Sequence, residues 1–357
     1  MSKKAIVEVQ LKWIFVLIAG VIILSFFVGV AKWYMDSKEE EIANDVMFKL
    51  GTILSGAEVS SNTARQIEIP SMELGTRCDP DACSPYGCTS AIEFIGTGAK
   101  PASTEIDVIF APSVLETDII SAWTIEWQMP YKVTNFMYLA GPDYKYYLAY
   151  DDSDVDSERL AKRVFSKLTE NKYVDFDLIT DDEIPSVAYN DESLVKYVLF
   201  FSPGATIDIH DSVADSGNWD VIFLDEETVM FSKVSGPDKI PDPSTEQPHL
   251  GLPGIIGAIF SEDEDMFSCN MKKAFLKLRT INSIYAKRTG LLHTSFIGDG
   301  ICEYYYDADV RNQFDAIENK ISDLEVTAAE ASSIDSAAAI IEEYNHDAIL
   351  RSCPRLY

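Results

Sequence analysis

Residues 13–31 read WIFVLIAGVIILSFFVGVA, nineteen positions without a charge and with Ser25 as the only strongly polar side chain. At 1.5 Å per residue a helix of this length spans about 28 Å, close to the hydrocarbon thickness of a bilayer. Trp13 stands at one edge and Trp33 with Tyr34 beyond the other, where amphipathic rings favour the interface. Lys12 and Lys32 can extend outward from the two ends. A helix packed by one side on a soluble core keeps a polar face, whereas the apolar surface here is continuous around the helix. A cleaved secretory peptide has a shorter apolar core followed by a small-x-small site. Here Ala19-Gly20 lies too early, and Trp33-Tyr34 occupy the place where small residues belong. The stretch therefore reads as a retained transmembrane helix over 13–31, in contact with the lipid bilayer, with 1–12 as a short N-terminal segment.

Orientation follows from the cations near the ends. Lys3, Lys4 and Lys12 precede the span, whereas Lys32 and Lys38 are followed at once by Glu39, Glu40 and Glu41. The expected topology is single-pass, with a cytoplasmic N-terminus and an extracytoplasmic main domain. Cysteine usage agrees. All six cysteines (Cys78, Cys83, Cys88, Cys269, Cys302 and Cys353) lie after the span, an even number, as disulfides in an oxidising exterior require. Fifteen pairings are open. The favoured one has a local bridge within 78–88, a second between Cys269 and Cys302, and a third from the cluster to Cys353.

The 357 residues are 47% hydrophobic and 24% charged, enough apolar material for a large core. The net charge is −29. Setting aside three lysines and one glutamate ahead of the span leaves 26 basic residues against 57 acidic ones. Such a field repels nucleic acid and anionic lipid and excludes nucleic-acid binding as the main function.

Outward from the span, 32–56 continues as a helical stalk. Glu39 to Glu41 favour its first turn, Ile42, Val46, Leu50, Ile53 and Leu54 form an apolar face, and Gly56 is a stop signal. Residues 57–143 read as β-rich: Glu93–Ile95 and Glu105–Phe110 are short strand patterns. Trp123 to Met129 alternates strictly before Pro130, with Trp123, Ile125 and Trp127 on one core face. Residues 144–248 read as a small Rossmann-like α/β layer. Its strands are Lys145–Tyr150, Val174–Ile179 and the doubly buried run Tyr197–Phe201. Its helix is capped by Asp156 or Ser157 and buries Leu160, Val164 and Leu168. A hairpin of 219–224 and 229–234 follows, then a Pro- and Ser-rich linker over 235–248. Residues 249–357 are helical and pack on the domain. Gly251, Gly254 and Gly257 mark buried helix packing, a helix runs over 263–287, and Phe314, Ile317, Ile321, Leu324, Ala328 and Ala331 form a coiled-coil-like stripe. The fold class is thus mixed α+β behind an N-terminal transmembrane helix and stalk.

The sharpest chemical feature is the run from Tyr150 to Glu158. Asp151, Asp152, Asp154 and Asp156 at a strand-to-helix turn offer carboxylates to a hard divalent cation. Asp152, Asp154 and Asp156 have the 1-3-5 spacing of a calcium loop. Ser157 and Arg163, however, stand where an EF-hand needs Gly and Glu. Asp151 and Ser153 after a strand also resemble the Asp-x-Ser-x-Ser metal site of von Willebrand A domains, with Val155 in place of the second hydroxyl. The competing reading is a solvated, helix-capping acidic turn. Cys78-x4-Cys83-x4-Cys88 is spaced too widely for structural zinc. There is no G-x-S-x-G, no H-E-x-x-H and no P-loop. The four histidines, His210, His249, His293 and His346, sit in unrelated contexts. No catalytic residue and no cofactor is indicated.

The segment Lys3-Lys4-Ala5-Ile6-Val7-Glu8-Val9-Gln10, running into the apolar helix, resembles the start of type IV pilin-like proteins over about 50 residues. The family pattern is a basic leader, a small residue at the cleavage point and an early glutamate. Ala5 and Glu8 match those roles, although Glu8 falls at the third position after the cleavage point instead of the fifth, and Lys12 interrupts the apolar run. As a whole the chain resembles the large membrane-anchored exterior proteins common in archaeal genomes, a class that implies no activity. The expected function is a non-enzymatic surface or envelope protein, such as a pilin-like assembly component, with envelope proteins as partners. The alternative is an exterior hydrolase or metal-dependent binding domain built on the turn 151–156.

Overall fold

The computed structural model describes residues 3–84, 87–97, 101–104, 107–187, 194–200, 219–232 and 246–357. Helix α1 (Lys3–Val59) is continuous. Its stretch Val16–Tyr34 is long and apolar enough to cross a membrane, and none of it is buried in the protein. Further along, the same helix buries Ala43, Met47 and Leu50 against a sheet. The buried stripe is thus rotated from the expected one: Ile42 is exposed, Val46 is only partly covered, and the side chains of Ile53 and Leu54 lie outside the described set. Small Ala43 lets the helix approach closely. Gly56 does not stop the helix, which runs on to Val59.

The sheet under α1 comprises β1 (Ala64–Cys78), β2 (Ser90–Phe94), β3 (Ala102–Thr104), β4 (Ile109–Phe110), β5 (Val114–Gln128) and β6 (Lys132–Ala140), in the order β3-β2-β1-β5-β6-β4. All pairs are antiparallel except β4 with β6. Strand alternation sorts its faces. Ile120 and Ala122 meet Met47 and Leu50, while Trp123, Ile125 and Trp127 enter the main core on the far side. A polar knot fixes the turn after α1. Thr124 Oγ1 donates to Ser60 O (2.6 Å), and Ser61 Oγ donates to Glu126 and Asn135 (2.9 Å each). The Lys132 ammonium, then Gln128, hold the Glu126 carboxyl down to about 2.

The second sheet is the expected α/β layer. Strands β7 (Tyr144–Tyr150), β8 (Asp175–Thr180), β9 (Leu194–Phe200) and β10 (Trp219–Leu224) are parallel, in the order β8-β7-β9-β10. Helix α2 (Val155–Leu168) joins β7 to β8 and buries Leu160, Val164 and Leu168 as read from its periodicity. Its cap is Asp154, whose side chain accepts from Asp156 N, and not Asp156 or Ser157. Strand β10 turns back into β11 (Thr228–Ser232), which pairs with β12 (Glu246–Pro248). The last three residues of the expected 235–248 linker are therefore an edge strand. Residues 235–245 of that linker lie outside the described residues, as do Phe201 and Glu105–Ile106 of two expected strands.

Helix α3 (Gly251–Phe260) lies between the sheets, against β5 and β6 on one side and α2 and β10 on the other. Every residue from Gly254 to Phe260 is buried, which explains a segment with no polar face. Trp127 Nε1 donates to Leu250 O (3.0 Å) and the Tyr138 hydroxyl to Pro253 O (2.9 Å), pinning the helix to the first sheet. Helix α4 (Glu264–Ser295) starts at Asp263, the expected position, and runs one turn or more past 287. Its apolar marks Met266 and Leu276 are buried, but Ile284 is exposed. The tail stripe is not one helix. Chain α5 (Ala308–Lys320) ends, Leu324 adopts φ +66°, and a Thr327–Glu330 capping box starts α6 (Ala328–Leu350). Phe314, Ile317, Ile321, Leu324 and Ala331 nevertheless all enter the domain's own core. Buried Asn282 on α4 accepts from the Tyr131 hydroxyl (2.7 Å) and donates to Phe314 O (2.8 Å), joining first sheet, α4 and α5.

All six cysteines are bridged, as Cys83–Cys88, Cys78–Cys269 and Cys302–Cys353. The local bridge is the expected one. The other two correct the expected pairing. Cys78 ends β1 beside the start of α4, so it meets Cys269, and Cys302 follows α4 close to where the chain end returns. The long staple thus ties the first sheet to α4, and the tail is tied to the 302 turn instead of to the start of the domain.

Candidate functional site

Parallel strands carry ligands at their carboxyl edge, where the strand order reverses. Here that point lies between β7 and β9, and the acidic turn 151–156 emerges from it. Ser157 of α2 bridges the crevice: its hydroxyl donates to Phe200 O and accepts from Asp151 N (3.1 Å). Its 6% exposure makes it a structural clasp rather than a nucleophile.

The four aspartates do not converge on one point. Asp151 Oδ1 accepts from Ser153 N (2.8 Å) and Ser153 Oγ (2.5 Å), and these bonds hold its carboxyl below the usual range. Ser153 therefore serves Asp151 directly, in an Asx-type turn. Asp154 is spent on the helix cap. Asp156 pairs with Arg159 (2.9 Å), which also reaches Glu226 (3.2 Å) across a cavity of about 160 Å³ lined by Leu160, Phe223 and Asp225. Asp151 and Asp152 instead gather with Asp181, each offering an oxygen within 4.8 Å of the others. Burial first, then the Asp151 and Asp182 charges, push the Asp181 carboxyl up. Asp181 was not read from the sequence. Its signal was its place directly after the second parallel strand, which puts it at the same sheet edge as Asp151. One converging oxygen from each of three carboxylates leaves at least half of the six to eight ligands that calcium takes to be supplied by other groups or water.

Of the histidines, His210 lies outside the described residues. His249 is buried with Nε2 3.0 Å from Asp225 O, and burial pushes its pKa down. No nucleophile–base pair forms among the described residues around it.

Two lysines are buried among the described residues: Lys196, whose ammonium donates to Ser261 O, and Lys273 on α4, at 1% exposure. The Lys273 ammonium donates to Ser90 Oγ and to Asp107 O (3.0 Å), and desolvation pulls its pKa down to about 8. A desolvated amine can serve as a nucleophile, but this one has no opening to a substrate and ties α4 to the first sheet. The folded protein releases this proton near pH 8, whereas the unfolded chain keeps it to about 10.5. The unfolded state therefore binds more protons in between, and stability rises with pH there. The buried tyrosines, raised in the folded state, act in the opposite sense above pH 10. From pH 8 to about 9.5 the unfolding free energy should climb by about 1–2 kcal/mol. Lys273→Met should flatten that climb in urea titrations; an unchanged slope would refute the assignment.

No family model, curated protein or solved structure matches this chain. The class defined by the fold is a disulfide-bonded mixed α+β domain behind a helix able to span a bilayer.

Proposed function

We propose that the protein is a single-pass membrane protein with its N-terminus in the cytoplasm and its acidic domain outside, serving as a non-enzymatic surface or envelope component. One observation carries the reading. A single unbroken helix has an apolar, uncovered half over Val16–Tyr34 and a half that is part of the domain's core through Ala43, Met47 and Leu50. Cleavage between the two would strand a helix the domain needs, so a retained anchor fits better than a removed signal. The three disulfides fit an oxidising exterior. The pilin-like form of the proposal rests on Lys3–Gln10 alone. Against a hydrolase or metal-dependent domain stand the commitments of Asp154 to the cap and Asp156 to Arg159.

Intact cells treated with a membrane-impermeant amine reagent should become labelled on exposed lysines beyond Lys32, such as Lys49 and Lys132, and the protein should resist alkaline carbonate extraction. Labelling of these lysines only after lysis, with the anchor still present, would reverse the topology.

A further inference from the structure

Two of the three disulfides are neighbours. The sulfurs of Cys83, Cys88 and Cys269 all lie within 4.8 Å of one another, so the Cys83–Cys88 bridge abuts the Cys78–Cys269 bridge. Their exposures differ. Cys88 and Cys269 are buried at 0%, whereas Cys83 and Cys78 are partly exposed. Cys83 sits on a short turn after the 3₁₀ segment Pro80–Ala82, and Cys78 lines an open cavity of about 650 Å³ with Arg77, Thr89 and Asp265. The pair of bonds thus has a partly exposed cysteine at each end and two buried cysteines in the middle.

We propose that these four cysteines form a thiol–disulfide relay that takes a dithiol as its reaction partner. A thiolate of the dithiol attacks Cys83 Sγ, forming a mixed disulfide and releasing Cys88 as a thiolate. The Cys88 thiolate attacks the adjacent Cys269 Sγ; a Cys88–Cys269 bond forms, and Cys78 leaves as a thiolate that takes up a proton. The second thiol of the dithiol then attacks its own mixed-disulfide sulfur, leaving Cys83 as a thiol and the partner as a disulfide. One dithiol is oxidised, and one protein disulfide becomes two thiols, Cys78 and Cys83, both at the surface. Exchange of this kind needs a thiolate beside a disulfide sulfur, which the cluster supplies.

The product keeps the fold tied. Cys88 lies just ahead of β2, which pairs with β1, so a Cys88–Cys269 bond still joins the first sheet to α4. Asp79, Asp263 and Asp265 line the cavity beside Cys78 together with Arg77. The charges of Asp79 and Asp81, which flank the turn that carries Cys83, act on Asp265, so the acidic groups outnumber the basic one there. Their charge disfavours anionic thiols such as glutathione and favours a neutral dithiol or an oxidoreductase with a basic face. None of this depends on which side of a membrane the domain occupies.

The test uses the full chain in detergent, treated with about one equivalent of dithiothreitol at pH 8, then quenched in acid and alkylated with N-ethylmaleimide. Chymotryptic cleavage after Tyr86 separates Cys83 from Cys88. Early samples should contain a Cys88–Cys269 crosslinked peptide, with alkylated Cys78 and Cys83. In Cys83→Ser/Cys88→Ser, reduction of Cys78–Cys269 should slow at least tenfold. Direct appearance of alkylated Cys269 without any Cys88–Cys269 species in the wild type would overturn the relay, and this readout stands even where the variant fails to fold. Equal reduction rates in a folded variant would do the same.

Discussion

Replacing Cys78 and Cys269 together by alanine should lower the unfolding free energy by about 5 kcal/mol, the largest loss from any single bridge. The partners are 191 residues apart, so the bond removes the closure entropy of more than half the chain from the unfolded state. The same reasoning gives about 4 kcal/mol for Cys302–Cys353, 51 residues apart, and about 2 kcal/mol for Cys83–Cys88, five apart. Guanidinium titrations of the three double-alanine variants check the ranking. The loss should be accompanied by a steeper denaturant dependence, because an unfolded chain without the long bridge exposes more surface. A Cys83–Cys88 variant as damaged as the Cys78–Cys269 one would refute the loop-length account and point to local strain.

The second large effect is expected at Gly257, in the middle of α3. A β-carbon there would fall 2.7–2.9 Å from three ring carbons of Phe110. Neither side can give way. Phe110 is fully buried and packs on Phe136, Tyr138 and Phe267 at centroid distances of 5.4, 5.8 and 5.9 Å. The helix backbone is fixed by the Trp127 and Tyr138 bonds to its first turn. Gly257→Ala should cost about 3 kcal/mol by overpacking. Phe110→Ala alone should cost about 3–5 kcal/mol through its cavity. The double variant should cost at least 1 kcal/mol less than the sum, since each change relieves the other. Strict additivity would show that Phe110 is not what excludes a side chain at 257.

What the sequence revealed and what it hid follow from the same physics. Periodicity located α2 and the strands of the second sheet because their buried faces are fully apolar. It placed Trp123, Ile125 and Trp127 correctly on one face because a strand alternates whatever its partners are. It missed β1, whose run Ala64–Cys78 mixes Arg65, Glu68 and Pro70 with apolar residues. Long-range pairing with β5, bent by a shift between Glu68 and Met72, makes that stretch a strand. The break between α5 and α6 was hidden because the apolar stripe continues across it, although Thr327 and Glu330 spelled a capping box. The disulfide partners were not readable, since they depend on where β1 ends relative to α4. At the acidic turn, four aspartates within six residues suggested a shared task. The backbone sends them to different ones, and Asp181, which gathers with Asp151 and Asp152, follows another strand.

The unbroken α1 has a mechanical meaning on the membrane reading. Only eight residues lie between Tyr34 and Ala43, a rise of about 14 Å along the helix, before docking on the first sheet begins. No glycine-proline hinge interrupts that interval. The domain is therefore mounted on its anchor as a blade on a shaft, without the swivel that a flexible tether gives. Tilting or rotating the buried half of the shaft in the lipid turns the domain through the same angle, so bilayer thickness and helix–helix contacts inside the membrane set which face of the domain is presented to its surroundings.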